Sequence, residues 1–558
     1  MIAHIRWQAL LAFLGIVLVF VLLGYLAFNF TIVTVPAEGG TYIEGLVGAP
    51  RCINPVLCQR NQVDADLAAL IFNGLTRVDE RGEILNDLAE RHEISEDGQV
   101  YTFYLRRDVR WHDGAPFTAE DVLFTVQALQ DSDFQGLPHL AELWRSVKVE
   151  KVDDYTIRFT LEQQFTPFLD YTAIGLMPAH LLRNVPARLL PGNRFCLAPV
   201  GTGPFQLEEI GPEKAILTSN PRFHGPRPYI KHLEFKFYPD EESVLSAYDE
   251  EEIEGWGSPA VSGTNCLCPE KLAINSSMER ARLFSAPLSG YVIVLLNLDS
   301  PLFEEKAVRQ ALLYALDRRR IIDGTLHGQG LVAHSPILPN SWAYSPFIRH
   351  YEFDPERARA LLDEAGWRDE DGDGVREKEG QKLEFALLAG DEKTRVQMIE
   401  EIAREWAHVG VKANPQVAGL DGLVRDFLHP RRFEAALVEW RVPPDPDPYP
   451  LWHSTQIPPQ SEEGQNYAGF SHREADELME EGRRILDRTK RIELYRRFQE
   501  IFAEQTPSLL IYYPIYNYVV DSRVRGVQIG FLSNPADRFR NLSQWYILST
   551  RKIISKRS

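Results

Sequence analysis

Three short runs in this sequence carry side chains of the kind that do chemistry. Trp111-His112-Asp113 sets an imidazole beside a carboxylate, the pairing that activates a nucleophile in many hydrolases. Adjacent side chains on a strand or turn face apart, and no serine or cysteine motif completes a triad. The run is therefore read as structural and the chain as a non-enzyme, with a secreted hydrolase using His112 and Asp113 as the rival. Asp369-x-Asp371-x-Asp373-Gly374 has the first half of a calcium loop, in which alternate carboxylates converge and the glycine permits a sharp turn. Its twelfth position is Gly380, where a bidentate glutamate belongs, and Glu377 and Glu379 are out of register. A solvated acidic turn is the expectation, a structural calcium ion the alternative, and no other cofactor is expected. Cys266-x-Cys268 is too closely spaced for an ordinary zinc half-site and has no second pair.

Nucleotide chemistry is excluded on similar grounds. Gly201-Thr-Gly203 is followed by Gln206 rather than a third glycine, and no Gly-Lys-Ser/Thr occurs. His92-Glu93 has Glu96 where a zinc protease would place its second histidine. With 60 Lys and Arg against 79 Asp and Glu, the formal charge is −19, which argues against a general nucleic-acid surface.

The elements that must position any site read as alternating strands and helices. Tyr101, Phe103 and Leu105 alternate with polar neighbours, and Val147–Val152 with Tyr155–Leu161 form a hairpin about Asp153-Asp154. Thr118-Ala-Glu-Asp121 is a capping-box variant flanked by Phe117 and Val122 at the staple positions. Asp354-Pro355 opens a helix striped by Ala358, Leu361, Leu362 and Ala365 and closed by Gly366. A second stripe, Val396, Ile399, Ala403, Trp406 and Val409, ends at Gly410 before a strand at Val411–Ala413. Ser471 with Glu474 is expected to cap a third helix and Thr489 to begin a fourth carrying Leu494, Phe498 and Ile501. Further strands fall at Phe433–Trp440 and Leu509–Val520, a mixed α/β pattern with more than one sheet. At 558 residues, two or three packed units are expected.

The first thirty residues bear on the compartment. Ala9–Phe28 is 20 residues without a charge or an amide, enough as a helix to cross about 30 Å of hydrocarbon. Arg6 precedes it and Glu38 and Glu44 follow it, so the body is expected outside the cytoplasmic membrane on a single-pass anchor. A cleaved signal peptide is the competing reading, but Val35-Pro36-Ala37 is a poor cleavage site and no lipobox precedes Cys52. An oxidising compartment permits disulfides among Cys52, Cys58, Cys196, Cys266 and Cys268, with the pairing left open and one thiol over. The basic tail Arg551–Arg557 is read as solvated, with anionic lipid as its alternative partner.

The stretch from Arg106 through Trp111-His112-Asp113-Gly114 to Thr118-Ala-Glu-Asp121-Val122 resembles the signature of family 5 extracellular solute-binding proteins. These are the dipeptide-, oligopeptide- and nickel-binding receptors of ABC importers. Matching features follow in order: Ile71-Phe-Asn-Gly74-Leu-Thr, Pro199-Val-Gly-Thr-Gly-Pro204-Phe, Asn297-Leu-Asp, Val308-Arg-Gln-Ala-Leu and Ala365-Gly-Trp367. Trp440, Asp445-Pro446, Asn466-Tyr and Ser471 through Asp476 continue the series, so the resemblance spans residues 38–548. It implies a type II periplasmic-binding-protein fold: a discontinuous lobe I (37–77, 206–290 and 510–550), an extra subdomain (78–205) and lobe II (291–509), after the N-terminal segment 1–36. Hinges would lie near 290 and 510, with the ligand between the lobes.

The resemblance also implies a monomer that captures a small solute, a peptide foremost, and delivers it to a permease whose partner ATPase subunits supply the energy. A sensory or docking module, or a receptor for metal chelates or oligosaccharides, are the alternatives. Trp440 matches the tryptophan lining the cleft of peptide-binding members. The aspartate that there pairs with the peptide ammonium is replaced by Pro443, a spacing closer to the nickel-binding branch. Asp445 is a candidate substitute, and Arg441 a candidate for receiving a carboxylate bidentately. Tyr449, Trp452, Trp256 and Asn466 complete the candidate set as stacking or polar contacts.

Overall fold

The computed structural model describes residues 2–259, 280–419, 422–458, 460–461 and 464–553. Cys266 and Cys268 lie outside the described residues, as does the end of the basic tail. The backbone of Ile2–Thr31 is one helix. Within it the described side chains from Leu10 to Tyr25 are all exposed. Among the described residues, no helix is long and apolar enough to cross a membrane. The strands Ile32–Ala37 and Leu548–Ile553 pair antiparallel, bringing the two ends of the body together.

The body is built on a 12-stranded sheet whose centre is the strand Ser508–Asp521. This strand is buried along nearly its whole length, as its run of Leu, Ile, Tyr and Val requires. Its first part, Ser508 to Tyr512, pairs with Gly290–Leu296, beyond which stand Ala435–Arg441, Glu384–Gly390 and Lys412–Ala418. Its second part, Ile515 to Asp521, pairs with Gly255–Pro259 and Ala281–Pro287. The strands Thr41–Val47, His232–Tyr238, Lys214–Ser219 and Phe205–Ile210 complete that half. Pro514 sits where the partners change. It has no N–H to give, and its carbonyl accepts from Leu288 N at 2.8 Å. The chain thus passes between the halves at Pro287–Gly290 and again at Tyr513–Ile515.

A separate antiparallel sheet, Ala89–Ile94, Val100–Leu105, Thr156–Leu161 and Val147–Asp153, packs on the second half through one continuous apolar cluster. Tyr101, Phe103 and Leu105 face inward as their alternation predicts. The helix Ala119–Gln130 carries the capping box at Thr118, Asp121 reaching back to the Thr118 N–H at 2.9 Å. In the other half, one cluster lies on each face of the sheet. Asp354 caps Pro355–Glu364, and Lys393–Ala407 buries Ile399 and Trp406. Two starts differ from expectation. His472, not Ser471, caps Arg473–Arg484, its ring accepting from Ala475 N. Asp487, not Thr489, opens Arg488–Gln505, because its carboxylate accepts from both Thr489 N and Lys490 N.

Two covalent and ionic ties hold the discontinuous half. Cys52 and Cys196 form a disulfide across 144 residues of chain, a loop whose closure stabilises by up to about 5 kcal/mol on chain entropy alone. Cys58 is free and buried, and burial pushes its thiol up to about 12. Arg538, fully buried, bonds Glu44 at 3.0 Å and Asp66 at 2.7 Å, so the C-terminal segment is tied to the first strand and first helix of the body. Tyr518 donates to the same Glu44 at 2.8 Å.

Candidate ligand-binding cleft

The strands Glu384–Gly390, Lys412–Ala418 and Ala435–Arg441 run parallel, so their carboxyl ends share one edge. Trp440 and Arg441 end the last of them, opposite Tyr291 and Gly290 at the chain crossing. Gly290 has no room for a side chain, since a Cβ there would stand 2.3 Å from the Trp440 carbonyl. The crossing therefore packs directly onto the strand end that carries Trp440. The Trp440 ring lies 5.6 Å from Tyr467, tilted by 31°, and its Nε1 is buried without a hydrogen-bond partner. On the other face of the strand, Glu439 pairs with the buried Arg395 and, at 3.0 Å, with Arg441. Arg441 itself is about half exposed (49%) with this one described ion pair, so its guanidinium is accessible at this edge.

The proline-rich turn after Trp440 folds back toward the extra sheet. Asp445 accepts both terminal nitrogens of Arg491 at 2.7 Å, and Arg491 also donates to Tyr495 and to the Gly482 carbonyl. Asp447 pairs with Arg483 at 2.8 Å and accepts from Tyr449 N. Burial holds the Asp447 carboxyl above its ordinary range. Arg483 lies 4.0 Å over the Tyr449 ring and 4.8 Å from the Phe165 ring. Thr166 donates its N–H to the Arg483 carbonyl at 2.8 Å, and Arg488 pairs with Glu83 at 2.7 Å. A cavity of about 290 Å³ remains between these segments, lined by Phe165, Gln164, Tyr449, Glu480 and Arg483 among others. Asp170 lies near Asp445 and Arg491, and burial together with Asp445 raises its carboxyl well above the usual range.

Two sheet halves joined by two crossings, with strand ends and aromatic side chains meeting between them, are the build of a hinged receptor. The description "Bacterial extracellular solute-binding proteins, family 5 Middle" matches residues 83–459. The chain belongs to this family. It is 30% identical over 523 residues to the oligopeptide-binding protein AppA of Bacillus subtilis (strain 168), covering 92% of each chain. It is 26% identical to the dipeptide-binding protein of Escherichia coli (strain K12), covering 93% of this chain and 98% of that one. The solved structure of Bacillus subtilis AppA in complex with a nonapeptide superposes with a TM-score of 0.72 at 27% identity, over 92% of this chain and 100% of that one. The fold is that of a family 5 type II periplasmic binding protein.

The structure distributes the candidate residues of this family member unevenly. Trp440 and Arg441 stand at the strand edge beside the crossing. Tyr449 lies on the wall of the cavity, its ring stacked 4.0 Å from His453. Asp445 sits in the same turn with both oxygens on Arg491, so its carboxylate is satisfied within the protein. Trp452 is in the core, donating to the Tyr291 hydroxyl at 3.2 Å and packed edge-on to Phe502. Trp256 is buried with Val244, Ile253 and Val519 in the other half. Asn466, fully buried, donates to the His453 and Phe470 carbonyls and accepts from Gly469 N and Phe470 N, closing a loop.

The other chemical runs resolve as supports. His112 Nδ1 accepts from Gly201 N at 3.2 Å, so Nε2 carries the proton and donates to the Gly203 carbonyl at 3.1 Å. Asp113 instead pairs with His180 at 2.7 Å, and the two neighbours do not act together. In the acidic loop, Asp369 accepts from Gly372 N and Gly374 N, while Lys382 Nζ pairs with both Asp371 and Asp373. An ammonium thus stands against two of the carboxylates a calcium ion would need. Arg395, Glu439, Tyr467, Arg483 and Arg491 escaped the sequence reading. Their partners lie tens of residues away, and no local spacing marks an arginine as the mate of Asp445 or Asp447.

Proposed function

We propose that this chain captures a peptide between its lobes, with Trp440 as the stacking surface and Arg441 receiving a ligand carboxylate, and delivers it to an ABC permease. Two of the relatives it matches over more than nine-tenths of its length are named for oligopeptide and dipeptide binding. The observation carrying the reading is the placement of Trp440 and Arg441 at the parallel strand ends, directly against the crossing at Gly290. A ligand seated there touches both lobes, and contact with both is what shifts the population toward the closed form. Pro443 leaves no counter-charge for a peptide ammonium at its own position, and Asp445 is held by Arg491. Recognition through the ligand carboxylate at Arg441 avoids that desolvated ammonium. The apolar run Ala9–Phe28, with exposed side chains from Leu10 to Tyr25, supports an N-terminal membrane tether that keeps the receptor near its permease.

Calorimetry of the full chain with a neutral nonapeptide and with its C-terminal amide tests this directly. Trp440→Ala is expected to weaken both ligands at least about tenfold, the cost of losing an aromatic anchor. Arg441→Gln is expected to weaken the free acid and leave the amide unchanged. Equal affinities of wild type and both variants would remove this edge from the binding site.

A further inference from the structure

Apart from the cleft, one cluster combines imidazole and carboxylate side chains on a rigid frame. His334, His350 and Glu352 bring one ligand atom each within 4.8 Å of one another. The two imidazoles stack with centroids 4.0 Å apart and planes 11° from parallel. No hydrogen bond from the described residues engages either ring.

The backbone explains why these three meet. His334 follows the short strand Gly330–Val332, and both of its chain neighbours are pinned. Ala333 N donates to the Ile511 carbonyl, and Ser335 N donates to the Tyr513 hydroxyl at 3.1 Å. The second segment is fixed through Tyr351, which is buried and donates its hydroxyl to the Ala503 carbonyl at 2.7 Å. With Tyr351 inward, His350 and Glu352 on either side of it point outward and are exposed. The buried Arg318 then joins the segments, donating to the carbonyls of Ala333, Leu510 and Tyr351. One guanidinium thus holds the backbone beside His334 against the backbone between His350 and Glu352.

We propose that His334, His350 and Glu352 form a surface site for a divalent transition-metal ion of the zinc class, separate from the ligand cleft. Two imidazoles and one carboxylate are the donor set that such ions favour over calcium or magnesium. Tetrahedral zinc needs adjacent ligand atoms about 3.3 Å apart, and the three ligand atoms already lie within 4.8 Å of one another. Ion binding replaces the ring stack with two metal–nitrogen bonds. Glu352 supplies negative charge against Arg318, whose own charge is shared among three carbonyls. Three protein ligands leave a coordination position open to water. His334 follows the strand that pairs with Tyr512–Pro514, but none of the three ligands belongs to the cleft residues, so uptake is expected to be independent of peptide capture.

Titration of ZnCl₂ into the full chain, untagged, purified in detergent and stripped with EDTA, tests the site by calorimetry. A one-equivalent uptake is expected, weakened at least about tenfold by His350→Ala and by Glu352→Gln. Both substitutions are at exposed side chains, and unchanged peptide affinity in each verifies that the fold is intact. Cys266→Ser with Cys268→Ser, and Asp371→Asn with Asp373→Asn, are expected to leave the uptake unchanged. Absence of uptake by the wild-type chain, or uptake that survives His350→Ala and Glu352→Gln undiminished, would overturn the proposal.

Discussion

His112 shows how a residue that looks catalytic becomes a brace. Both ring nitrogens are engaged by the Gly201–Gly203 turn, an arrangement open only to the neutral imidazole. Burial lowers its pKa to about 4 from the ordinary 6.5. A base whose folded pKa is depressed contributes stability above the unfolded value, and that contribution is lost as pH falls through the folded one. Between pH 6.5 and 4 the wild-type unfolding free energy is therefore expected to fall by more than that of His112→Gln, the difference reaching about 2–3 kcal/mol. Superimposable melting-versus-pH curves would show that the ring is not held neutral. The run Trp111-His112-Asp113 was legible as structural because neighbouring side chains diverge. The fates of Trp452, Trp256 and Asn466 were not. An aromatic ring or an amide has the same composition in a cleft as in a core, and only distant partners such as Tyr291, Phe502 and Val519 decide between them.

At the scale of elements, local chemistry was readable wherever its partners are local. Thr118 with Asp121, and Asp354 before Pro355, start helices as their spacing indicates, and each such cap contributes about 1 kcal/mol. The shift from Ser471 to His472 arises because an imidazole nitrogen reaches Ala475 N as a serine hydroxyl would. Long-range ties were not readable. Arg538 lies hundreds of residues from Glu44 and Asp66 in sequence, yet the three form one buried network. Removing the guanidinium leaves two buried carboxylates without their cation, so Arg538→Met is expected to cost about 3–5 kcal/mol, measured by denaturant unfolding. A loss below about 1 kcal/mol would mean that the network is not holding the C-terminal segment. Reduction of Cys52–Cys196 is expected to lower the melting temperature as well, while Cys58, buried and with its thiol raised, stays unreactive toward alkylating reagents in the folded protein.

The whole molecule is two halves hung on the strand Ser508–Asp521, and the segment after the extra sheet meets the helix Arg473–Arg484 through Phe165 and Thr166 on Arg483. Asp170 titrates near Asp445. Burial and Asp445 raise its carboxyl, so packing against the Asp445 turn favours the protonated form. The resulting stabilisation is full below the ordinary carboxylate value and is lost as pH rises through the raised one. Acidification is therefore expected to favour the contracted form of the ligand-free protein in small-angle scattering, and Asp170→Asn to hold it contracted at neutral pH. A radius of gyration independent of pH in the wild type would separate Asp170 from closure. Peptide capture between the two halves is tested by native mass spectrometry of the full chain purified from its source organism. The expected result is a bound species that dissociates on denaturation as peptide and is absent from Trp440→Ala. Release of a sugar or a metal chelate in its place, or peptide retained undiminished by Trp440→Ala, would contradict it.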